Sequence, residues 1–552
     1  MLAYLFVVVA CVMRPRLNLE GACIGTTSRN RQAAHQSNFR VEFDFLNLQR
    51  FHPNVIRVSA MPDAVIDESN RANPQIMDRL REGFRSLRSH TNEKLSGLVE
   101  PANKAWGQLE QAFQLGKSQV FFAQAAVNVD DTPEEDDTSA APILIVPGML
   151  GSVLEAKRCN ATWLPARCMH TTEWYKTWFD LQQIAFGFSC WSEIMSLEMH
   201  GDGTTDNRPG ISIRAMQDSI KAVSCYNPSS TFTCDNTVYL QEFFRFMSTE
   251  GNVGVQPEYR KNLTKTVQNY ELKKNLDSLP YDFRRSMRDL KTTLFPQLKA
   301  RVEQMYSENG NRKVNLVGHS LGGIHANLFL NSFVDTAWKR KFIRRFIPIS
   351  VAYGGSVKAM HSVLLGESQG WPFPLSWSRP VLRTWGGLYA AFPRINSTLW
   401  GSGRIFTVGA HSYRTKDITK LLSDSGLDEI AHAFDALNTE HPYDKAPGVE
   451  THCLFSTGYP TMQEVHIDSF DSAHRDAPII REDLDGDGSI TRKSMDVCQY
   501  WKDHQVEPVQ TTVYTGGEEH AAFMAQNRAL WQQIFDIANF GARAADRAYV
   551  EL

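Results

Sequence analysis

The chain lacks a dominant sign of charge. Its 58 Lys and Arg face 61 Asp and Glu for a net charge of −3, so it offers no basic footprint for nucleic acid. Long apolar runs are also missing. The one continuous run is residues 1–13, MLAYLFVVVACVM; as a helix it reaches ~18 Å, short of a ~30 Å bilayer core. A secretory signal over about residues 1–25 fits this run, with Arg14 and Arg16 behind it, and a short signal anchor is the alternative. Cysteine is sparse, nine residues in 552, and no pair has zinc-type or thiol-catalysis spacing. Behind a signal peptide such cysteines read as disulfide partners. Asn160, Asn262 and Asn396 head Asn-x-Ser/Thr sequons that suit the same route.

What the chain does have is concentrated in one stretch, Lys313-Val-Asn-Leu-Val-Gly318-His319-Ser320-Leu321-Gly322-Gly323, followed by Ile324-His-Ala-Asn-Leu-Phe-Leu330. It reads as an apolar strand, then Gly-x-Ser-x-Gly, then a helix. In that order the serine occupies a strained strand-to-helix turn, and glycines two residues to either side let the helix pack close. The Ser320 hydroxyl is then presented at the carboxyl end of a sheet. The Leu321 amide lies at a helix N-terminus, where the dipole favours an oxyanion. Without the flanking strand and helix, the motif would be an ordinary Gly-rich turn.

Upstream, residues 74–127 carry helical periodicity, predicting two helices split near Pro101. The run Asp130-Asp-Thr-Pro-Glu-Glu-Asp-Asp-Thr138 has no apolar residue and reads as a linker, so 26–140 form an extension and 141–552 the main domain. Pro142-Ile-Leu-Ile-Val-Pro-Gly148-Met149-Leu150-Gly151 is a buried strand ending in a tight turn. In folds with a serine elbow the loop after an early strand supplies a second oxyanion amide, here assigned to Met149. Between Cys168 and Cys190 lie Trp174, Tyr175, Trp178, Phe179, Phe186 and Phe188. Rings so dense are expected at a lipid–water interface, with Trp174, Trp178 and Phe179 as anchors; burial in the core is the alternative. Residues 200–270 are low in periodicity and read as an insertion, with Cys225 and Cys234 near enough to close a small loop. Residues 366–400, rich in Trp, Pro and Gly, read as a lid. Strands are also expected at 345–351, 453–457 and 511–515, giving an α/β class with a parallel sheet.

A nucleophilic serine needs a base, and the base needs an acid that holds its tautomer. On an elbow fold they follow in the order Ser, Asp, His, on loops after later strands. His520 lies just after the last strand, and Asp487 lies in Asp485-Gly-Asp487-Gly-Ser489, after the strand at 453–457. The run Asp483-Leu-Asp485-Gly-Asp487-Gly-Ser-Ile490 also matches the start of a calcium loop, but Ser494 stands where a bidentate Glu belongs. No metal or cofactor is assigned.

Taken together, the blocks Val146-Pro-Gly-Met-Leu-Gly-Ser-Val-Leu-Glu-Ala-Lys157, Cys168 through Trp191, Leu279-Pro-Tyr-Asp-Phe-Arg284, Gly318-His-Ser-Leu-Gly-Gly323, Asp485-Gly-Asp-Gly-Ser489 and Glu519-His520 resemble the lecithin–cholesterol acyltransferase family, which includes lysosomal phospholipase A. The resemblance implies an α/β-hydrolase fold with a membrane-binding subdomain and a lid at roughly 366–388. It implies a catalytic Ser320, Asp487 and His520, oxyanion amides at Met149 and Leu321, and disulfides Cys168–Cys190 and Cys453–Cys498. It further implies acyl transfer from a phospholipid to water or a lipid alcohol such as a sterol. That chemistry belongs at a membrane or lipoprotein surface, in a secreted or lumenal protein. The departures are the N-terminal extension, the insertion, and Phe283 where the family usually has Trp. A neutral-lipid or carboxyl-ester hydrolase is the nearest alternative; a non-catalytic lipid-binding module is the other.

Overall fold

A parallel sheet of six strands carries apolar residues on both faces, and that double burial dictates what surrounds it. The computed structural model describes residues 140–540 except 160, 166–167, 169–172, 227–233, 235–236, 251–269, 368–374, 394–397, 439–444, 471–477 and 517. The signal segment, the 74–127 helices, the acidic linker and the three sequon asparagines lie outside the described residues. The central sheet comprises β1 (Ile143–Val146), β2 (Leu276–Ser278), β3 (Val314–His319), β4 (Ile343–Ile349), β5 (Thr451–Thr457) and β6 (Val509–Thr515), in spatial order β6-β5-β4-β3-β1-β2. The order turns back at β1, and ligand sites in such sheets open at the carboxyl ends near the reversal.

Alternation along the strands sorts their side chains into two cores. Leu144, Val146, Leu316, Phe346 and Phe455 pack on one face with Ile324, Leu328 and Phe329 of α3 (Leu321–Ser332). Ile143, Ile145, Val317, Ile347 and Leu454 pack on the other with α2 (Gln241–Thr249), which supplies Phe243 and Met247, and α6 (Arg528–Phe540), which supplies Trp531, Ile534 and Phe535. Each residue's neighbour along a strand is thus fixed to the opposite layer. Burying one such Leu or Phe contributes roughly 1.5–3 kcal/mol.

The described residues contain three disulfides, Cys168–Cys190, Cys225–Cys234 and Cys453–Cys498, and a free, exposed Cys159. Cys453 lies on β5, so its bond fastens the sheet to the short helix Val497–Trp501. No helix among the described residues is long and apolar enough to cross a membrane.

The aromatic segment differs from the expected interfacial loop. It folds as a strand, Tyr175–Trp178, paired antiparallel to Leu154–Arg158, followed by the kinked helix α1 (Leu181–Met195) that carries Cys190. Trp178 and Phe179 are buried, at 8% and 5% exposure. The Trp178 ring meets Phe179, Trp191, Phe283 and Trp385 at centroid distances of 5.2, 6.2, 5.7 and 5.9 Å, and its Nε1 donates to the Leu150 carbonyl at 3.0 Å. Rings with a full set of aromatic neighbours and a satisfied N–H are core. The assignment of Trp178 and Phe179 as lipid anchors is therefore corrected. Trp174 is half-buried beneath the Arg214 guanidinium, 4.1 Å from its ring centroid.

Where it is described, the expected lid contains helix. Residues 375–389 form α4 (Leu375–Leu382) and the short turn of helix Gly386–Tyr389, pinned by the buried Val381, Trp385 and Tyr389. The 200–270 segment, read as an insertion, packs on the main domain. Where described, it places α2 against the sheet and the strand Ile211–Ala215 beside Leu154–Arg158.

Candidate active site

At the carboxyl end of β3 the backbone turns sharply into α3. Ser320 adopts φ 52° and ψ −125°, a left-handed conformation held although the residue has a Cβ. Its amide donates to the Ile349 carbonyl of the neighbouring strand at 2.9 Å. A Cβ on Gly318 would stand 2.6 Å from the Gly323 Cα, and one on Gly322 would stand 2.2 Å from the Val146 carbonyl oxygen. Any side chain there would push α3 away from β1, which is the physical reason for both glycines.

Three distant segments converge on Ser320. His520 opens α5 (His520–Gln526) directly after β6, with its Nε2 2.9 Å from Ser320 Oγ and its Nδ1 2.6 Å from Asp487 Oδ2. Asp487 is completely buried at the end of the strand Ile479–Gly486. Its Oδ1 accepts from the amides of Ser489 (3.0 Å) and Ile490 (2.7 Å), and the His520 amide donates to its carbonyl at 2.8 Å. Both carboxylate oxygens are therefore occupied, and the carboxylate is aimed at the imidazole. This also disposes of the calcium-loop reading. Asp483 and Asp485 belong to a strand, and Asp487 turns its oxygens to two amides and a histidine. No cluster of metal-ligating side chains occurs among the described residues.

The turn at 148–151 lies against the elbow. A Cβ on Gly148 would be 3.0 Å from Ser320 Cβ, so Met149 follows directly on the backbone that touches the serine. The Gly151 amide donates to the Gly148 carbonyl at 3.1 Å, and Leu150 has φ 65°. Leu321 is the first residue of α3, and its amide belongs to the first turn, which has no partner within the helix. The structure brings Ser320, Asp487, His520, Met149 and Leu321 together; Trp178 adjoins the 148–151 turn through Leu150, and with Phe179 it packs in the core.

Two residues escaped sequence reasoning. His319 is buried beside the triad, its ring stacked on His520 at 5.3 Å. Burial, together with the charge His520 can carry, holds its pKa well below the usual histidine range, so His319 is neutral. Tyr239 reaches it with its hydroxyl, 2.7 Å from Nδ1. Position x of Gly-x-Ser-x-Gly pointed to His319; nothing in the sequence pointed to Tyr239.

The family model for lecithin:cholesterol acyltransferase matches residues 174–407 and 407–527. The chain belongs to the lecithin:cholesterol acyltransferase family. Among similar proteins, a phosphatidylcholine-sterol acyltransferase of Gallus gallus is 28% identical over 394 residues, covering 70% of this chain and 88% of that protein. A lysosomal phospholipase A and acyltransferase of Homo sapiens is 27% identical over 409 residues, covering 70% and 88%. Among solved structures, a Bacillus licheniformis lipase in mature form covers 73% of this chain and 96% of its own, at 13% identity and a TM-score of 0.27. The match to the family model spans β2 to β6, α5 and the three side chains of the Ser320–His520–Asp487 relay.

Proposed function

We propose that this member of the family is a serine-dependent phospholipase A and O-acyltransferase. It removes a fatty acyl group from a phospholipid and passes it to water or to a lipid alcohol such as a sterol. The observation that carries the reading is the continuous relay from Ser320 Oγ through the His520 ring to Asp487. His520 Nε2 takes the hydroxyl proton as Oγ attacks the acyl carbonyl carbon, and the negative charge gathers on the carbonyl oxygen. The amides of Met149 and Leu321 receive that oxyanion; losing one such donor costs about 10²–10³ in rate. Asp487 faces the imidazolium that forms and keeps the proton-accepting nitrogen turned to the serine. The imidazolium then protonates the departing lysophospholipid oxygen, leaving acyl-Ser320. Water or a sterol hydroxyl attacks that ester, giving its proton to His520, and Ser320 is restored.

The substrate side of the reading is a lipid surface, either membrane or lipoprotein. With Trp178 and Phe179 withdrawn to the core, the anchoring role moves to Trp174 and to Trp377 of α4, which is 44% exposed and 5.2 Å from the Phe188 ring of α1. Disulfides suit an oxidising compartment, so the protein acts after secretion or in the lumen of a secretory or lysosome-like organelle.

The test uses purified protein on dioleoylphosphatidylcholine vesicles containing EDTA, with and without cholesterol, beside Ser320→Ala. Lysophospholipid from the parent alone supports the phospholipase, and cholesteryl ester adds the transferase. Hydrolysis of neutral esters without attack on phosphatidylcholine would move the assignment to a carboxyl-ester hydrolase. Vesicle binding with no turnover of either ester would leave a lipid-binding module.

A further inference from the structure

The turn that carries Met149 is held at Leu150 by Trp178 Nε1, at 3.0 Å, and at Gly148 by a side chain that the reaction scheme does not use. Tyr239 is buried at 2% exposure, and its hydroxyl oxygen accepts from the Gly148 amide at 3.0 Å. The same hydroxyl stands 2.7 Å from His319 Nδ1, and donating its proton there uses the one hydrogen it has. The other end of the turn rests on the tyrosine ring, since a Cβ on Gly151 would be 2.6 Å from Tyr239 Cε1. One residue therefore touches the turn at Gly148 and Gly151 and joins it to the residue preceding Ser320.

Tyr239 is itself fastened. Its amide donates to Ser224 at 2.9 Å, Tyr226 donates to Thr237 at 2.8 Å, and Cys225 bridges to Val238. The Cys225–Cys234 bond closes this narrow loop, and the ring of Tyr226 stacks on Tyr239 at 5.6 Å and 17°. Burial raises the phenol pKa far beyond its ordinary value, so the hydroxyl keeps its proton throughout the working pH range.

We propose that Tyr239 is a positioning residue for acyl transfer: it clamps the 148–151 turn so that the Met149 amide stays aimed at the oxyanion. The proposal rests on the acyl-transfer reading above. Its physical basis is that an amide stabilises a developing charge only if it is already oriented when the charge appears. The turn contains Leu150 in a left-handed conformation, which is strained for a residue with a Cβ and persists only under outside constraint. Without the hydroxyl, the Gly148 amide loses its acceptor and the start of the turn loosens, leaving the Gly151 amide and Trp178 Nε1 to hold the peptides after it. Such a loss weakens the transition state and leaves ground-state lipid binding alone.

The experiment compares parent, Tyr239→Phe, Tyr270→Phe and Ser320→Ala. Tyr270 is a matched control: a buried tyrosine whose hydroxyl donates to the Ala141 carbonyl at 2.9 Å and accepts from Asn539 at 3.1 Å, away from the triad. Readouts are kcat and KM on dioleoylphosphatidylcholine vesicles, the rate of covalent labelling by a fluorophosphonate, and Tm. Tyr239→Phe is expected to lower kcat and the labelling rate together by about tenfold or more, below the full loss of a donor, with KM within twofold. Tyr270→Phe is expected to lower Tm comparably and leave kcat within twofold. Unchanged kcat in folded Tyr239→Phe overturns the proposal, as does an equal kcat loss in Tyr270→Phe. Should Tyr239→Phe not fold, Gly151→Ala displaces the ring with its hydroxyl intact and is expected to show the same loss at unchanged KM; parent-like kcat there also overturns it. Labelling that survives Ser320→Ala sinks the acyl-transfer reading itself, a failure separate from the Tyr239 result, and the clamp falls with it.

Discussion

The elbow at Ser320 and the aromatic segment from Cys168 to Trp191 are both dense in unusual residues, yet they behave oppositely on folding. At the elbow, meaning resides in local backbone sterics. Gly318 and Gly322 are required because a Cβ would strike Gly323 or β1, and this is written within five consecutive residues. In the aromatic segment the residue types are equally telling, but their partners are remote. Trp178 is core because Phe283 and Trp385 arrive from elsewhere in the chain to enclose it. Trp377, in the segment read as a lid, is a ring that stays out. Density of aromatics thus reports that something apolar must be met, and tertiary packing decides whether that is lipid or protein.

The sharpest test of the elbow side is Ser320→Ala, expected to cut lysophospholipid release about 10⁴–10⁶-fold with Tm unchanged. Activity near that of the parent would place the chemistry elsewhere. Asp487→Asn leaves the hydrogen-bonded loop in place but favours the wrong His520 tautomer; kcat should fall about 10⁴-fold, measured on the same vesicles. On the aromatic side, Trp178→Ala should lower unfolding free energy by about 3–5 kcal/mol in urea melts, while folded protein binds vesicles as the parent does. If Trp178→Ala instead lost vesicle binding at unchanged stability, the ring would be interfacial after all.

Acid offers a further test of the buried site. His325 on α3 is completely buried against Tyr281, and burial lowers its pKa to about 3. Its folded pKa lies below the unfolded value, so the unfolded chain binds the extra proton between the two. Stability is therefore present above about pH 6.5 and declines as pH falls toward 3, by about 2 kcal/mol at pH 5 from this residue. His319 adds to the same slope in the same direction. Chemical denaturation of His325→Gln at pH 7.5 and 5 should show a smaller difference than the parent. An equal difference would mean that His325 does not titrate as buried. The smallest effect is expected from Trp377→Ala, with Tm within a degree or two and vesicle affinity reduced a few-fold by flotation.

Much of the candidate site is legible in the sequence. Strand, Gly-x-Ser-x-Gly and helix are adjacent in the chain, so local sterics announce Ser320 and Leu321. Chain order on an elbow fold carries the reading to Asp487 and His520. Trp178 and Phe179 read as interfacial because Phe283 and Trp385, which enclose Trp178, are remote in the chain. Tyr239 was invisible: it lies in a stretch of weak periodicity, 91 residues from Gly148 and 80 from His319. Neither spacing nor composition encodes a hydroxyl that meets an amide across such separations.

The sequence by itself determined the α/β class, the strained serine turn and the residues able to relay a proton, because each follows from backbone geometry or residue chemistry within short windows. Only the tertiary structure decided that Trp178 and Phe179 face protein, that α2 belongs to the core, and that Tyr239 stands beneath the 148–151 turn. Those outcomes depend on which remote surfaces exclude water from one another, and that is a property of the whole packed chain.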